Sequence, residues 1–260
     1  MMETPIRGVA GTQSIDRAVR LLKHIATHNS AGLTLAQAAR ESGLTVPTTH
    51  RILSSLCEHG LAMQRGPRRE YFLGQLAYEL GLAANCNFNL RELCAPVLGR
   101  LSRQTQDTVF LTTRSGPDSV VIERKEGSYP VKVLTQMVGE RRPLGSTVAG
   151  VALLAALSDG ELEDLIARNR GRLGRYGSLS EPLLRRMVGR AREIGYALND
   201  GELIPEVTGI GVAIPTRLGT SYAALSVVAL KNRLAAPRRQ EVAELLRAEA
   251  RKLSDALAGT

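Results

Sequence analysis

Histidine is where nucleophilic, acid–base or metal chemistry would ordinarily be sought, and here its distribution is uneven. All four histidines (His24, His28, His50, His59) fall in the first 60 residues. A Ser-His-Asp or Cys-His arrangement, or a histidine-held metal, confined to the later part of the chain is thereby excluded. Three cysteines (Cys57, Cys86, Cys94) are too few and too irregularly spaced for a disulfide framework or a Cys-pair zinc site. Carboxylates at Asp200, Glu202 and Glu206 could do acid–base work without histidine, although solvated loop acids look the same. There is no Walker-type loop, and Thr208-Gly-Ile-Gly211 falls far short of a dinucleotide fingerprint; glycines where a strand is crowded account for it. The expectation is a protein that is not an enzyme and carries neither metal nor cofactor.

The segment after Pro143 offers a different chemistry. Gly145-Ser-Thr-Val-Ala-Gly150 combines small side chains with the unpaired backbone N–H groups of a helix start, at the positive end of its dipole. That is a ready site for an anion. An ordinary capped helix has the same sequence.

The elements that would position such chemistry begin near residue 12. Ser14 is a plausible N-cap, and Ile15, Val19, Leu22 and Ile25/Ala26 recur at helical spacing behind it. Thr34 caps a short helix over Leu35–Ser42, and Gly43 follows where a tight turn needs positive φ. Thr45 caps a third helix with Pro47 in its first turn and Thr49, Ile52, Leu53 and Leu56 on its apolar side; Gly60 ends it. Two short helices joined by a glycine turn form a helix-turn-helix layout.

At about 100° per residue, Pro47, Arg51, Ser54 and Glu58 of the third helix point away from its core stripe, flanked by Thr48, His50 and Ser55. A short, polar, cationic helix end is what entry into a major groove requires. Strand, turn and strand then follow, with Arg65, Arg68 and Arg69 around Gly66-Pro67: a basic wing placed for phosphates. Residues 1–75 hold nine basic and five acidic residues, too modest an excess to prove nucleic-acid binding by itself. A trihelical module with a hairpin that contacts proteins is the competing reading.

Whole-chain composition bounds the rest. With 260 residues, 43% apolar and a formal charge of +9, the chain is long enough for one large or two modest globular domains. Its longest uncharged apolar run, Val148–Leu157, is too short to span a bilayer and reads as a buried helix. No basic stretch followed by an apolar one opens the sequence, so a cytoplasmic protein is expected.

Several linked blocks resemble the isocitrate-lyase-regulator (IclR) family of bacterial transcription factors. They are Ser14-Ile-Asp-Arg-Ala-Val-Arg-Leu-Leu, Leu35-Ala-Gln-Ala-Ala, Gly43-Leu44, Thr48-Thr-His50-Arg51-Ile-Leu53, Leu56, Gly60-Leu61 and Tyr71-Phe-Leu73-Gly74. Further along come Gly139-Glu-Arg-Arg-Pro143-Leu-Gly-Ser-Thr-Val-Ala149-Gly150, Arg192-Glu-Ile-Gly195-Tyr196-Ala-Leu-Asn-Asp200-Gly-Glu202 and Ala223-Ala-Leu-Ser226. A lone helix-turn-helix match would be weak; the ordered set is specific.

Beyond the wing, Gly74–Ala84 reads as a connector helix, and Asn89 with Glu92 resembles a capping box opening a helix with Cys94 on its apolar stripe. Val109–Thr113, the turn Ser115–Asp118 and Val120–Glu123 read as a hairpin. Val131–Val138 is expected as a further strand. Ser158 and Ser180 open helices, strands Val207–Ile214 and Tyr222–Leu230 flank a turn at Arg217–Thr220, and Pro237 starts a last helix. The expected fold is an N-terminal all-α/winged helix-turn-helix domain (12–74), a linker helix (75–88) and a C-terminal α+β domain (89–260) with an antiparallel sheet and helices to one side.

The resemblance implies that the last domain is GAF-like and that the linker packs against a dimer mate, the family favouring dimers of dimers. It further implies a sequence-specific regulator, repressor or activator, of a pseudo-palindromic operator in double-stranded DNA, controlled by a small organic acid-type metabolite, with no membrane partner. The expected DNA-binding residues are Thr34, Thr45, Pro47, Thr48, Thr49, His50, Arg51, Ser54, Arg65, Arg68 and Arg69. Carried over from the family's effector cup, Val148 and Ala149 supply N–H donors, Asn199 and Asp200 lie on a polar loop, Gly209, Ser226 and Val228 line the floor, and Leu134 the wall. Some members have a thiol or hydroxyl where this chain has Gly209 and Val228. That difference implies a roomier, less polar pocket and an aromatic or branched acid.

Overall fold

A computed structural model describes residues 12–29, 31–85, 90–215 and 221–258, and the chain divides into two compact units between Phe88 and Asn89. The expected cap at Asn89, Cys86 and the turn at Arg217–Thr220 lie outside the described residues.

In the first unit, helices α1 (Gln13–Thr27), α2 (Leu35–Ser42) and α3 (Val46–Glu58) precede a two-stranded antiparallel ribbon, β1 (Ala62–Arg65) and β2 (Glu70–Leu73). The caps form as the spacing demands. Thr34 makes a reciprocal capping box with Gln37, Gly43 takes the left-handed conformation at φ 69°, and the Thr45 side chain accepts from Thr48 N–H. Leu21, Ile25, Leu33, Ala38, Leu53, Leu56 and Tyr71 form the core.

Helix α1 departs from expectation at both its cap and its face. It starts at Gln13, and Ser14 lies inside it, exposed, rather than capping it. The stripe Ala18, Leu21, Leu22, Ile25 faces the core, while Ile15 and Val19 are left exposed. Its apolar arc is wider than this small core can cover. Helix α4 (Gln75–Asn85) follows the ribbon and also exposes large apolar side chains, Tyr78, Leu80 and Leu82.

The second unit is built on a six-stranded sheet in the order β5 (Arg141–Pro143), β4 (Asp118–Lys125), β3 (Thr108–Ser115), β8 (Ala223–Leu230), β7 (Val207–Ala213), β6 (Ala197–Asp200). Every neighbouring pair is antiparallel. The helices are α5 (Leu90–Thr105), α6 (Val148–Ala155), α7 (Asp159–Leu173), α8 (Glu181–Ile194) and α9 (Ala236–Ala258), with a 3-10 turn at Lys231–Leu234.

Both faces of the sheet are covered, which corrects the expectation of helices to one side. Phe110, Ala224 and Val228 pack under α6, α7 and α8, whereas Val109, Leu111, Leu225 and Val227 pack against α5 and α9. Strand β8, Ala-Ala-Leu-Ser-Val-Val-Ala-Leu, shows why: it is apolar at nearly every position, as a strand buried on both sides must be. The expected strand at Val131–Val138 does not form. The segment makes no ladder and leaves Val131, Leu134, Met137 and Val138 exposed. Instead the chain pairs three residues later, at β5.

Two glycines set the position of α6. An added Cβ at Gly211 would lie 2.9 Å from the Val148 carbonyl oxygen, and one at Gly209 2.9 Å from Val148 Cγ1. Any side chain at either position would push the first turn of α6 off the sheet. The uncharged run that begins at Val148 is accordingly buried through Leu154.

Candidate functional site

The first candidate surface is the solvent side of α3 with the ribbon. Val46, Pro47, His50, Arg51, Ser54 and Ser55 are exposed, while Leu53 and Leu56 turn inward. Thr49 is 0% exposed and its hydroxyl donates to the Thr45 carbonyl oxygen at 3.0 Å. It therefore cannot reach a groove, and its expected contact is withdrawn. The same arithmetic that points Arg51 outward puts Thr49 inward, two positions away on the helix.

Thr45 and Thr34 are also committed locally. The Thr45 hydroxyl donates to Thr48 Oγ1 at 2.9 Å while capping the helix, and Thr34 Oγ1 donates to Gln37 Oε1 at 2.9 Å. Both hold helix starts in place. Arg51 makes no hydrogen bond or ion pair with any described residue.

The ribbon treats its three arginines differently. The Arg65 guanidinium sits 4.2 Å over the Phe72 ring. Arg69, at φ 54°, donates to Gln64 Oε1 from Nε (3.3 Å) and Nη2 (3.2 Å), while Gln64 Nε2 donates back to the Arg69 carbonyl. Arg68 is exposed at the tip with no described partner. The turn thus presents three cations, two of them held in place.

The histidines serve elsewhere. His24 Nδ1 and His28 Nε2 lie 3.3 and 3.1 Å from Glu41 Oε2, joining α1 to α2. Among the described residues no three His, Cys, Asp or Glu side chains are grouped so as to hold a metal ion. No described helix is long and apolar enough to cross a membrane.

The second candidate is a cavity of about 220 Å³ beneath the start of α6. Val148, Ala149, Asn199, Gly209, Ser226 and Val228 line it, together with Thr135, Gln136, Arg142, Ser146, Thr147, Tyr176, Gly177, Leu203, Ile204 and Val207. Thr147 caps α6 by accepting from Gly150 N–H at 3.0 Å. The N–H groups of Val148 and Ala149 precede any intrahelical acceptor and meet none among the described residues, so they are free for a bound group. Ser226, 2% exposed, carries a hydroxyl with no described partner on the floor. Asn199 Oδ1 accepts from Leu203 N–H at 3.1 Å, which fixes the loop over the cavity.

Asp200 and Leu134 are not among the lining residues. Side chains alternate along a strand, so if Asn199 of β6 faces the cavity its neighbour faces the opposite side. There Asp200 meets Arg239 Nη2 at 2.6 Å and Lys231 Nζ at 3.9 Å. Burial opposes its ionisation, but Arg239 and Lys231 outweigh that and hold the carboxyl below its ordinary value. Glu202 is likewise engaged, by Arg190 Nη2 at 2.7 Å. Two carboxylates so paired are poorly placed as a general acid and base. Leu134 is 47% exposed, and its neighbours Thr135 and Gln136 line the wall instead.

Nor does Gly209 make the cavity roomier, since Val148 occupies the space its side chain would take. The walls contributed by Arg142, Tyr176 and the 203–207 segment were missed in the sequence. Arg142 lies within the recognisable Gly139–Gly150 block, so a place for it in the cavity wall was a usable signal. Tyr176 carried none, because nothing local tells which way a residue between two helices turns.

The family description "Bacterial transcriptional regulator IclR C-terminal" matches residues 83–255, and the IclR helix-turn-helix domain matches residues 14–66. The acetate operon repressor of Salmonella typhimurium is 26% identical over 251 residues, covering 95% of this chain and 91% of that protein. The HTH-type transcriptional repressor AllR of Klebsiella pneumoniae is 27% identical over 250 residues, covering 95% and 90%. Among solved structures, an IclR family regulator from Brucella abortus superposes with a TM-score of 0.78 at 21% identity, over 98% and 99% of the two chains. An IclR homologue from Microbacterium hydrocarbonoxydans, complexed with 4-hydroxybenzoate, gives 0.70 at 25% identity, over 95% and 100%.

Proposed function

This chain belongs to the IclR family of bacterial transcriptional regulators, and on that premise we propose how its two units divide the work. It is a sequence-specific DNA-binding regulator whose operator affinity responds to a small organic acid. Arg51, His50, Thr48 and Ser54 read base edges, and Arg65, Arg68 and Arg69 hold phosphates. The observation that carries this reading is Arg51: an exposed guanidinium on the outer face of α3 with no internal partner. Two of the relatives above, the acetate operon repressor and AllR, are named as repressors, which supports repression.

The acid's carboxylate is held by the N–H groups of Val148 and Ala149, with Ser226 and Asn199 beside it. A cavity of about 150 Å³ takes up benzene, so the cavity here is matched to a single-ring acid or a branched one of that size. The 4-hydroxybenzoate bound by the Microbacterium homologue is consistent with that class. Exposed apolar residues on α1 (Ile15, Val19) and α4 (Tyr78, Leu80, Leu82) support a homodimer that brings two copies of α3 to the half-sites of a pseudo-palindrome, assembling further as a dimer of dimers. The protein acts in the cytoplasm, where its operator is.

The test is fluorescence anisotropy of the full chain on a duplex from upstream of its own gene and on a scrambled duplex, with and without 4-hydroxybenzoate. We expect the upstream duplex to bind at least about a thousandfold tighter and the acid to change that ratio. Equal affinity for the two duplexes would overturn the regulator reading in favour of a protein-contact module.

A further inference from the structure

The cavity has a deep part and a more exposed part that differ chemically. Fractional exposure sorts its lining residues into a floor and a rim. Val148, Ala149 and Ser226 are no more than 5% exposed, while Ile204 is 42% exposed and the Arg142 side chain 21%. The floor carries the free N–H groups described above. The rim carries a cation.

That cation is held in place and partly unspent. Arg142 Nε donates to Glu140 Oε1 at 2.6 Å, and Nη2 donates to the Thr135 carbonyl oxygen at 2.6 Å. The guanidinium carbon lies 5.7 Å from the centre of the Tyr176 ring. Nη1 has no partner among the described residues, and neither does the Tyr176 hydroxyl. Burial pushes the Tyr176 pKa up, more than Arg142 and Arg172 draw it down, so the phenol stays protonated at neutral pH and can donate. Two bonds fix the guanidinium plane, so its remaining N–H groups can meet a ligand with little ordering cost.

We infer that the effector is two-ended: a carboxylate on the α6 floor and, toward the rim, a second anionic or hydrogen-bond-accepting group held by Arg142 Nη1 and the Tyr176 hydroxyl. This rests on the acid-binding floor proposed above and adds the rim as its specificity determinant. The class is a compact dicarboxylate or an acid carrying a second oxygen at its far end. A monoacid of the same size leaves Nη1 unanswered and gives up one charge-assisted hydrogen bond.

The experiment is calorimetric titration of the full chain with benzoate and with benzene-1,4-dicarboxylate, in wild type, Arg142→Met and Glu140→Gln. Wild type is expected to bind the dicarboxylate about tenfold tighter than benzoate or more. Arg142→Met should bring that ratio close to one while benzoate affinity stays within about twofold, which also shows that the variant is folded. Glu140→Gln, which keeps an amide oxygen to accept from Arg142 Nε but removes the negative charge beside the guanidinium, should widen the ratio. Equal affinities in wild type, or a ratio that survives Arg142→Met or narrows in Glu140→Gln, would overturn the two-ended effector and leave the floor standing. Equal weakening of both probes in Arg142→Met would make the arginine a merely structural support and overturn it too. Binding of neither probe by wild type would sink the acid-binding floor itself.

Discussion

In the first unit, no arginine makes an ion pair with a carboxylate among the described residues. In the second, Arg100, Arg141, Arg172, Arg190, Arg233, Arg238 and Arg239, among others, each lie within 4 Å of one. The most enclosed case is Asp107, whose side chain is 3% exposed and is held by Arg233 at 2.7 Å and Arg238 at 2.9 Å. Arg233 in turn lies 3.6 Å from the Tyr129 ring centre. The same residue type is thus neutralised by carboxylates in one unit, while in the other Arg65 and Arg69 are held only by neutral groups and Arg51 and Arg68 have no described partner. An exposed guanidinium with no internal partner pays no partner-exchange cost on meeting a phosphate, whereas a paired one must first break a bond. Net charge, positive overall, does not separate these uses; pairing does.

That contrast is open to attack from the structural side first. Asp107→Ala would leave two partly buried guanidinium groups facing one another, and removing one partner from a buried pair costs about 3–5 kcal/mol. Urea unfolding monitored through the second unit should show that loss. A change under about 1 kcal/mol would mean that the paired arginines support nothing and that the contrast is cosmetic.

The converse change should leave stability alone, within about 0.5 kcal/mol, and move DNA binding. Arg51→Ala is expected to lose about 1–3 kcal/mol on the operator and much less on random duplex. Arg68→Ala should weaken both alike and reduce the slope of log affinity against log salt by about one. If Arg51→Ala weakened both duplexes alike, its role would be reassigned to phosphate.

The smallest effect is in pH. Burial of Glu249 opposes ionisation, but Arg100 and Lys252 prevail and hold its carboxyl below the ordinary value, as Arg239 and Lys231 do for Asp200. For a carboxylate lowered in the folded state, the stabilisation is complete above its unfolded pKa, about 4, and is lost as pH falls through the lower folded value. Calorimetry from pH 6 down to pH 3 should therefore show the second unit's transition falling mainly below about pH 4.5. A transition that does not move across that range would show that these pairs contribute nothing to folding.

Short-range features were the legible ones. The Thr34 cap, the Gly43 turn, the Thr45 start of α3, the strand-turn-strand around Gly66-Pro67 and the helix start after Pro143 each depend on residues near one another in sequence, and all of them are present. The Val131–Val138 segment misled because a short run rich in valine and other apolar residues looks like a strand whether or not a partner strand is available. Ile15 and Val19 misled because an apolar stripe does not disclose which part of it the protein's own core will cover.

From its own order, then, this polypeptide determined the helices, the turns between them and the family blocks, since each is encoded by neighbours a turn or a strand apart. Folding in three dimensions decided that Asn199 rather than Asp200 lines the cavity, that Val148 fills the hollow over Gly209, and that Arg142 comes to rest beside Tyr176. Those outcomes turn on sheet register and on contacts between residues tens of positions apart. A one-residue shift in pairing would exchange the two faces of β6, and no local pattern records which register the packed sheet adopts.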